Sequence, residues 1–370
     1  MSIIRQSKIE DFNKLINQKK FKKIFVITGK NSFYKSKANL FFKFEKNKIL
    51  NFYFKTSQFP ELDELILILK KVEIFKPDII LSIGGGTVID YSKIVSIFNY
   101  RFINHLKKKL LNYDNISRKK VYPLVAIPTT AGAGAEVTSN AVIYVNGVKY
   151  SVENSLLIPN YNFLFSNLII KNPKKLKSSA GFDAIAQSVE SLISIKSNKK
   201  SVFYAKKSLE LSLKNYLPFI KRPNKENSNK MLIAANLAGK AINISKTTAP
   251  HAVSYPFSSL FGLSHGHAVS LTFEKFLLFN FKHSKNSISD FDLYKRYKII
   301  FNLFNVKNIN EFCKKVKYLK NEANLSDSFS KLGININSNE NKILKQINIL
   351  RLKNNPIELD KNDIRKILND

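Results

Sequence analysis

The first half of the chain, from Phe21 to about Phe165, alternates short apolar runs with stretches of helical periodicity. The apolar runs IFVITG, ILNFYF, DIILSIGGG and YPLVAIPTT are rich in β-branched residues, and the helical patterns ELDELILILKKV and TVIDYSKIVSIF lie between them. Such alternation is typical of parallel strands that are connected by crossover helices. The sequence therefore predicts an α/β domain built on a parallel sheet.

A hairpin and then a long helical region follow the alternating part. The segment AVIYVNGVKYSV has two alternating stretches around Asn146-Gly147, which is a strong hairpin signal. After Asn172-Pro173, helical periodicity dominates, as in AGFDAIAQSVESLIS and NKMLIAANLAGKAIN, with a polar loop predicted over residues 222–229. We therefore predict an α/β domain over residues 1–172 and an all-helical domain over residues 173–370.

The charge of the chain raises the question of a nucleic-acid partner. Its 370 residues have a formal net charge of +34, and Lys and Arg drive binding to phosphate backbones. The lysines are scattered among many Asn, Ile and Phe residues, so base-composition drift accounts for much of the charge, and no nucleic-acid partner is expected. The excess would help to attract a small anionic substrate. A basic nucleic-acid-binding protein on a degenerate enzyme scaffold stays as an alternative, which predicts strongly salt-dependent binding.

Cysteine usage and apolar runs bear on the cellular location. A single cysteine, Cys313, excludes an internal disulfide and fits a reducing compartment. The first residues, MSIIRQSKIEDFNKL, contain no apolar run of signal-peptide length, and no later segment has about 18 apolar residues without charge. We therefore expect a cytoplasmic protein without a membrane partner.

Two loops rich in small residues follow strands of the predicted sheet. Gly84, Gly85 and Gly86 stand where a buried strand ends and a helix begins, so that backbone amides and the helix N-terminus could approach a diphosphate. The loop PTTAGAGAEVT adds the hydroxyls of Thr129 and Thr130 at the end of another strand. Two such loops at one sheet edge predict a ligand crevice. The alternatives are a tight turn for the glycines and local turn capping for the threonines.

A candidate metal site lies in the helical half. Asp183 and Gln187 are four residues apart, so on a helix their side chains share one face. His251 and His265 lie in a stretch that holds three of the five histidines. Together the four offer two oxygen and two imidazole donors, which suit a divalent first-row metal with a position open for substrate. Taken singly, Asp183 could cap its helix, Gln187 could be solvated, and the histidines could be core or surface residues.

Four segments together resemble the signature regions of the iron-containing (group III) alcohol dehydrogenases, in that family's order and spacing. They are GGGTVIDYSK, PTTAGAGAEVT, DAIAQSVES and HAVSYPFSSLFGLSHG, and the resemblance extends over nearly the whole chain. It implies a dehydroquinate synthase-like fold with a Rossmann-like dinucleotide-binding domain and a helical metal-binding domain. It also implies that metal and nicotinamide meet in the cleft between the domains, and that the enzyme is a homodimer or a larger homo-oligomer.

The resemblance places Asp183, His251 and His265 on the family's metal-ligand positions, with Fe²⁺ expected and Zn²⁺ or Mn²⁺ as alternatives. Gln187 departs from the family, because most members have histidine there, and a neutral amide oxygen binds a divalent metal more weakly than imidazole does. Tyr255 is a second departure, since many members place a proton-relay histidine at that position. His267 or Tyr255 itself is therefore expected to take the catalytic proton-transfer role.

The resemblance further implies a dinucleotide site for NADPH or NADH. Family members that prefer NAD tend to carry an acidic residue after the first strand, whereas this chain has Gly29 and Lys30 there, so Lys30 either lies near a 2′-phosphate or is one more solvated lysine. The expected cofactor-binding residues are Gly29, Lys30, Gly84, Gly85, Gly86, Thr87, Asp90, Thr129, Thr130, Thr138 and Lys149.

Within the family, the histidine region and the glutamine at the second ligand position look most like the phosphonoacetaldehyde reductases. That resemblance implies reduction of the aldehyde to 2-hydroxyethylphosphonate in phosphonate biosynthesis, with Lys246, Thr247 and Thr248 expected to contact the anionic substrate. The alternatives are a general alcohol dehydrogenase for small uncharged aldehydes and an enzyme like glycerol-1-phosphate dehydrogenase. Dehydroquinate synthase, a lyase of the same fold, fits the four segments less well.

Overall fold

The computed structural model describes residues 7–100, 103–111, 119–347 and 349–369. The chain divides into two compact units. One unit consists of Met1–Thr130 and Gly134–Asn172, and the other of Ala131–Ala133 and Pro173–Asp370. None of the helices in the described part of the chain has both the length and the apolar character needed to cross a lipid bilayer.

The first unit contains a five-stranded sheet in the order β2-β1-β3-β4-β7, and all neighbouring strands are parallel. Its strands are β1 (Lys23–Gly29), β2 (Ile49–Lys55), β3 (Ile79–Gly84), β4 (Leu124–Pro128) and β7 (Tyr161–Asn162). The register pairs Gly29 with Lys55 and Gly84 with Pro128, so the carboxyl ends of these strands meet at one edge. The predicted parallel sheet is confirmed.

The predicted hairpin is also present as a separate two-stranded sheet, β5 (Asn140–Val145) and β6 (Val148–Glu153). Asn146 and Gly147 have φ angles of 51° and 75°, the left-handed conformation that a tight two-residue hairpin turn requires. Asparagine and glycine adopt this conformation more readily than other residues, which explains why the dipeptide signal was reliable here.

Helices cover both faces of the five-stranded sheet. The helices of this unit are α1 (Ile9–Ile16), α2 (Ala38–Phe41), α3 (Leu62–Phe75), α4 (Gly86–Ile97) and α5 (Ile103–Leu111). Alternate residues of β1 enter two different hydrophobic clusters: Phe25 and Ile27 pack with residues of α3 and α4, whereas Ile24 and Val26 pack with residues of α1. This period of two follows from the strand geometry and explains why the strands are apolar on both faces.

The second unit is helical throughout its described residues, as predicted. Its helices are α6 (Lys174–Ile193), α7 (Lys199–Lys221), α8 (Lys225–Ser245), α9 (Ala249–Phe261), α10 (His265–Ser270), α11 (Phe273–Lys282), α12 (Leu293–Phe304), α13 (Ile309–Glu322), α14 (Ile336–Lys345), α15 (Ile349–Leu352) and α16 (Lys361–Asn369). The predicted loop over residues 222–229 is wrong in its second part. The helix α8 begins at Lys225 because the Asn224 side chain accepts a hydrogen bond from the Asn227 backbone N–H and caps it.

Helix α6 is the central element of this unit. Every residue from Gly181 to Ser194 is buried. Apolar and small residues face the neighbouring helices, yet Asp183, Gln187 and Glu190 are buried as well. Polar groups at such depth need partners, and the partners of these three define the candidate site described below.

We predict that Gly84→Ala lowers the stability of the first unit. A Cβ at this residue would lie 2.5 Å from the Cβ of Val88, so β3 and the start of α4 would have to separate. Overpacking of this kind costs about 1–3 kcal/mol, which denaturant unfolding followed by circular dichroism would measure. Gly85→Ala is the matched control, because its Cβ would lie 3.5 Å from the Thr130 side chain, an ordinary contact. Equal losses in the two variants would contradict this account.

Candidate functional site

One face of α6 presents four buried polar residues. Ser179, Asp183, Gln187 and Glu190 follow one another at intervals of three or four residues, the spacing that places side chains on one side of a helix. Each of them contacts a residue of another segment of the second unit. The face therefore serves as the base on which the site is built.

The structure brings Asp183, His251 and His265 together. Each offers one ligand atom, and these atoms all lie within 4.8 Å of one another. The Nε2 atom of His251 lies 3.1 Å from Oδ1 of Asp183, and Nε2 of His265 lies 3.8 Å from the same oxygen. Asp183 thus meets two histidines that lie at least 68 positions after it in the sequence.

Gln187 lies beside this group. Its Nε2 donates to Oδ2 of Asp183 at 3.2 Å and lies 3.5 Å from the carbonyl oxygen of Ala133. Its Oε1 atom is buried, and no donor among the described residues reaches it. A buried amide oxygen without a donor is unfavourable by about 1–3 kcal/mol, and a cation at this point would remove that penalty. The donor set of one carboxylate, one amide oxygen and two imidazoles therefore fits a divalent first-row metal.

The exposure of the three ligand candidates differs. The side chains of Asp183 and His251 are 5% exposed, whereas that of His265 is 39% exposed. The group is therefore closed on the side of α6 and open on the side of His265. An open side is what a catalytic metal site needs, because a substrate has to reach the ion.

Glu190 is a residue of the candidate site that the sequence analysis missed. Its carboxylate is fully buried and contacts Nδ1 of His251 through Oε1, while Oε2 accepts hydrogen bonds from the backbone N–H of Thr248 at 2.7 Å and from its hydroxyl at 2.9 Å. The available signal was its position seven residues after Asp183, which is two helical turns along the same face.

The surroundings of His251 determine its protonation. Burial by itself would lower the pKa of His251, but the charge of Glu190 and the hydrogen bonds that the ring donates to Asp183 and Glu190 outweigh burial and raise the pKa to about 10. With Nδ1 facing Glu190, the other ring nitrogen faces Asp183. A histidine held in this way by a carboxylate is the usual arrangement for a metal ligand.

Ser179 anchors the segment that carries His265. Its Oγ accepts hydrogen bonds from the Ser264 hydroxyl at 2.9 Å and from the His267 backbone N–H at 3.1 Å. Gly266 lies directly against the Ser179 carbonyl group, where a Cβ would overlap the oxygen. The start of α10 is therefore fixed to α6 one turn before Asp183.

The expected substrate residues have different surroundings. Thr247 and Thr248 are buried, and the Thr247 hydroxyl accepts a hydrogen bond from Arg351 at 3.0 Å. The Thr248 hydroxyl donates to Glu190, as described above. Lys246 is half-buried, and its Nζ lies 3.4 Å from the Asn243 carbonyl oxygen. Of the three, Lys246 has the most accessible polar group.

The two candidates for proton transfer also differ. The ring of Tyr255 lies 6.4 Å from that of His265, measured between centroids, so Tyr255 is close to the ligand group. His267 instead directs Nε2 toward the Ser326 carbonyl oxygen at 2.8 Å. Burial lowers the pKa of His267, which favours the neutral ring with a proton on that nitrogen. The geometry therefore favours Tyr255 as the residue next to the candidate centre.

In the first unit, the two predicted loops lie side by side. The Thr129 backbone N–H donates to the Gly84 carbonyl oxygen at 3.0 Å, and the nearest atoms to a Cβ on Gly85 would belong to Thr130. Gly85, Gly86 and Thr87 are partly exposed at the start of α4. A helix of 12 residues thus directs its N-terminus toward a glycine turn, as a diphosphate site requires.

Asp90 and Thr138 belong to a network around Lys93, a fully buried residue that the sequence analysis did not consider. Lys93 donates to the Thr138 hydroxyl at 2.9 Å and to the Asn140 carbonyl oxygen at 2.8 Å. Burial raises the pKa of Asp90 to about 6, although Lys93, the hydrogen bond from the Val142 N–H and Lys149 oppose this rise. The network connects α4 to the hairpin and so stabilises the loop that contains Thr138.

The corner beside β1 and β2 is basic. Gly29 is paired with Lys55 at the carboxyl ends of the two strands, and Lys30 follows as an exposed residue. Lys55 is half-buried and donates to the Ser57 carbonyl oxygen at 2.6 Å, and burial lowers its pKa. Lys55 was not predicted from the sequence, because only the strand register places it beside Gly29.

Comparisons with known protein families match both halves of the chain. Residues 2–165 match the family described as "Iron-containing alcohol dehydrogenase", and residues 177–370 match "Fe-containing alcohol dehydrogenase family, C-terminal". The second match alone covers more than half of the 370 residues.

Several characterised proteins are similar in sequence. The bifunctional aldehyde-alcohol dehydrogenase AdhE of Escherichia coli (strain K12) is 29% identical over 236 residues, which cover 60% of this chain and 26% of AdhE. The 1-propanol dehydrogenase PduQ of Citrobacter freundii is 27% identical over 60% of this chain and 56% of its own length. The chain therefore spans about a quarter of AdhE and about half of PduQ.

Solved structures show the same fold. The sulfoacetaldehyde reductase from Bifidobacterium kashiwanohense in complex with NAD+ has a TM-score of 0.84 and 21% identity, covering 98% of this chain and 93% of that protein. The iron-containing alcohol dehydrogenase from Thermococcus thioreducens also has a TM-score of 0.84, with 20% identity over 98% of this chain and 96% of that protein.

We predict that the purified protein binds a divalent metal and that His265→Ala weakens binding by at least about 100-fold, the upper end of what loss of an outer-shell partner costs. The reason is that His265 supplies one of the few nitrogen donors of the group. Metal analysis after dialysis and competition titration with a chromophoric chelator would measure this. His283→Ala is the control, because His283 is exposed and its ring lies against Phe279, outside the ligand group. Retention of the metal by His265→Ala would show that the group is not a metal centre.

Proposed function

Because the chain belongs to the iron-containing alcohol dehydrogenase family, we propose that it is a metal-dependent NAD(P)H oxidoreductase that reduces an aldehyde to a primary alcohol. The observation that carries this proposal is the convergence of Asp183, His251 and His265. Gln187 lies beside Asp183, and its buried Oε1 has no donor among the described residues. A structural ion would be enclosed on all sides, whereas this group is open at His265.

The residues of the chain have distinct roles in this reaction. When bound, a divalent ion, Fe²⁺ by family membership, supplies Lewis-acid polarisation of the carbonyl group, and the reduced nicotinamide supplies the hydride. Asp183, Gln187, His251 and His265 hold the ion.

Protonation of the product oxygen needs a group near the ligand residues. Tyr255 lies beside His265, and its phenol can donate a proton that is replaced from solvent. His267 uses its Nε2 hydrogen for the Ser326 carbonyl oxygen and so is the second choice. In the first unit, the backbone N–H groups of residues 84–86 and the N-terminus of α4 bind the dinucleotide diphosphate.

For the substrate, we propose a two-carbon aldehyde that carries an anionic group, with phosphonoacetaldehyde as the first candidate. Its product would be 2-hydroxyethylphosphonate. The net charge of +34 favours an anionic substrate. The partly exposed Lys246, together with Arg351, which donates to Thr247, supplies cations in the second unit. The fold is similar to that of a sulfoacetaldehyde reductase, an enzyme named for an aldehyde that carries a sulfonate group, which is in keeping with this choice.

A second candidate is the reduction of small uncharged aldehydes. It is favoured by the sequence similarity to the 1-propanol dehydrogenase PduQ and to the NADPH-dependent butanol dehydrogenase of Clostridium saccharobutylicum, which is 25% identical over 79% of this chain. The two candidates share the same metal centre. They differ in whether the positive charge of Lys246 contributes to substrate binding.

The substrate proposal predicts a charge-dependent preference. We expect kcat/KM for phosphonoacetaldehyde to exceed that for propanal by at least about 10-fold, which corresponds to the 1.4 kcal/mol of one charge-assisted contact. Lys246→Ala should remove most of this advantage without changing kcat/KM for propanal. Lys225→Ala, at the exposed start of α8, is the control. Equal kcat/KM values for the two aldehydes would favour the uncharged substrates, and sulfoacetaldehyde in the same panel distinguishes the anionic groups.

For the cofactor, we propose that NADPH is accepted at least as well as NADH. Lys30 and Lys55 at the ends of β1 and β2 provide positive charge where a 2′-phosphate would lie in a sheet of this kind. We expect Lys30→Ala to raise KM for NADPH several-fold and to leave KM for NADH unchanged. Lys35→Ala, an exposed lysine one helical turn away, is the control. A parallel rise in both KM values would contradict a phosphate contact.

A further inference from the structure

The buried carboxylate of Glu190 connects α6 with α9. These two helices carry three of the proposed metal ligands: Asp183, Gln187 and His251. Glu190 is fully buried and receives three hydrogen bonds, two from Thr248 and one from His251. A carboxylate at this depth is unfavourable unless all of its oxygens are satisfied. Both oxygens are satisfied here, and all three donors belong to the residues at the start of α9.

Thr248 is the residue just before α9, at the position where a side chain normally caps the helix. It does not cap the helix with its hydroxyl. The hydroxyl instead donates to the same oxygen of Glu190 that accepts the Thr248 backbone N–H. These two bonds fix one oxygen of the carboxylate, so that the other oxygen faces His251 one helical turn later.

This arrangement controls which nitrogen of His251 is available. A hydrogen on Nδ1 is donated to Glu190, so Nε2 is the ring nitrogen that faces Asp183, 3.1 Å from Oδ1. This nitrogen would bind a metal ion in exchange for its own hydrogen. The other tautomer would place two acceptors against each other at Glu190. The carboxylate also raises the basicity of the ring and so its strength as a ligand.

We infer that Glu190 and Thr248 are positioning residues of the metal centre: Glu190 holds the tautomer and ring orientation of His251, and the Thr248 hydroxyl holds the Glu190 carboxylate. Thr248 therefore acts on metal affinity through Glu190 and His251. The inference rests on the proposed function only for the presence of the metal. It extends that proposal by two residues outside the ligand group.

The test compares metal binding in matched variants of the full-length protein. Thr248→Val keeps the shape of the side chain and removes the hydroxyl, Thr248→Ser keeps the hydroxyl, and Glu190→Gln removes the charge. Zn²⁺ affinity is measured by competition with a chromophoric chelator. We expect a loss of about 10-fold in Thr248→Val and of about 10–100-fold in Glu190→Gln, and near-native affinity in Thr248→Ser.

A spectroscopic readout separates positioning from general loss of structure. In ¹⁵N-histidine-labelled, Zn²⁺-loaded protein, the His251 ring should show a hydrogen on Nδ1 in the wild type, and its signal should shift in Glu190→Gln and in Thr248→Val. Ser188→Ala is the structural control, because Ser188 is buried on α6 but bonds Ala184 and Ser208 instead of α9. It should lower stability without changing Zn²⁺ affinity or the His251 signal.

Several outcomes would overturn the inference. Wild-type Zn²⁺ affinity in Thr248→Val and Glu190→Gln would do so, as would an equal loss in Ser188→Ala or an affinity in Thr248→Ser as low as in Thr248→Val. If Glu190→Gln does not fold, the comparison of Thr248→Val with Thr248→Ser still tests the inference. A wild-type protein that binds no divalent metal would overturn this inference together with the proposed function, whereas normal binding in all variants would overturn this inference alone.

Discussion

The second unit depends on one buried polar face of α6. An entirely apolar helix could pack as tightly, but it could not hold two other segments in a unique position. Ser179 fixes the start of α10, Glu190 fixes the start of α9, and Asp183 and Gln187 lie between these two anchors. Because buried polar groups are unfavourable when unpaired, each anchor has only one low-energy partner geometry. The position of the ligands follows from that restriction.

The charge balance of this face is consistent with a bound divalent ion. Asp183 and Glu190 are buried acidic side chains, and a divalent cation would offset negative charge on them. A histidine or a glutamine at residue 187 is neutral in either case, so Gln187 changes the type of donor atom without changing this balance. An amide oxygen is a harder donor than an imidazole nitrogen, so in the proposed metal centre Gln187 would favour ions that prefer oxygen ligands.

The first unit shows a similar use of one buried charge. Lys93 is fully buried and joins α4 to the hairpin through Thr138 and Asn140. Burial lowers the pKa of Lys93 to about 8, although Asp90 and Glu136 oppose this change. Lys93 therefore fixes the middle of α4, the helix whose N-terminus lies at the glycine turn. In both units, a buried ionisable group fixes the element that presents the functional residues.

Several features could be read from the sequence because they depend on local backbone geometry. The Asn146-Gly147 turn needs left-handed φ angles, and Asp183 and Gln187 share a face because a helix repeats every 3.6 residues. By contrast, the start of α8 was predicted too late, because the capping role of Asn224 was not recognised in a polar stretch. Local signals of this kind are reliable only when the residue type has few other uses.

The sequence by itself determined the alternation of the main strands and helices, the glycine turn and the shared face of Asp183 and Gln187, because periodicity and turn chemistry act between neighbours in the chain. His251 and His265 became ligand candidates through their concentration in one stretch and the family resemblance. Only the tertiary structure decided that Glu190 faces His251, that Thr248 bonds Glu190, and that Lys55 lies beside Gly29. Glutamate, threonine and lysine are most often solvated, so their types carry little information about partners. Such partners are set by helix packing and strand register, which bring together residues that are distant in sequence.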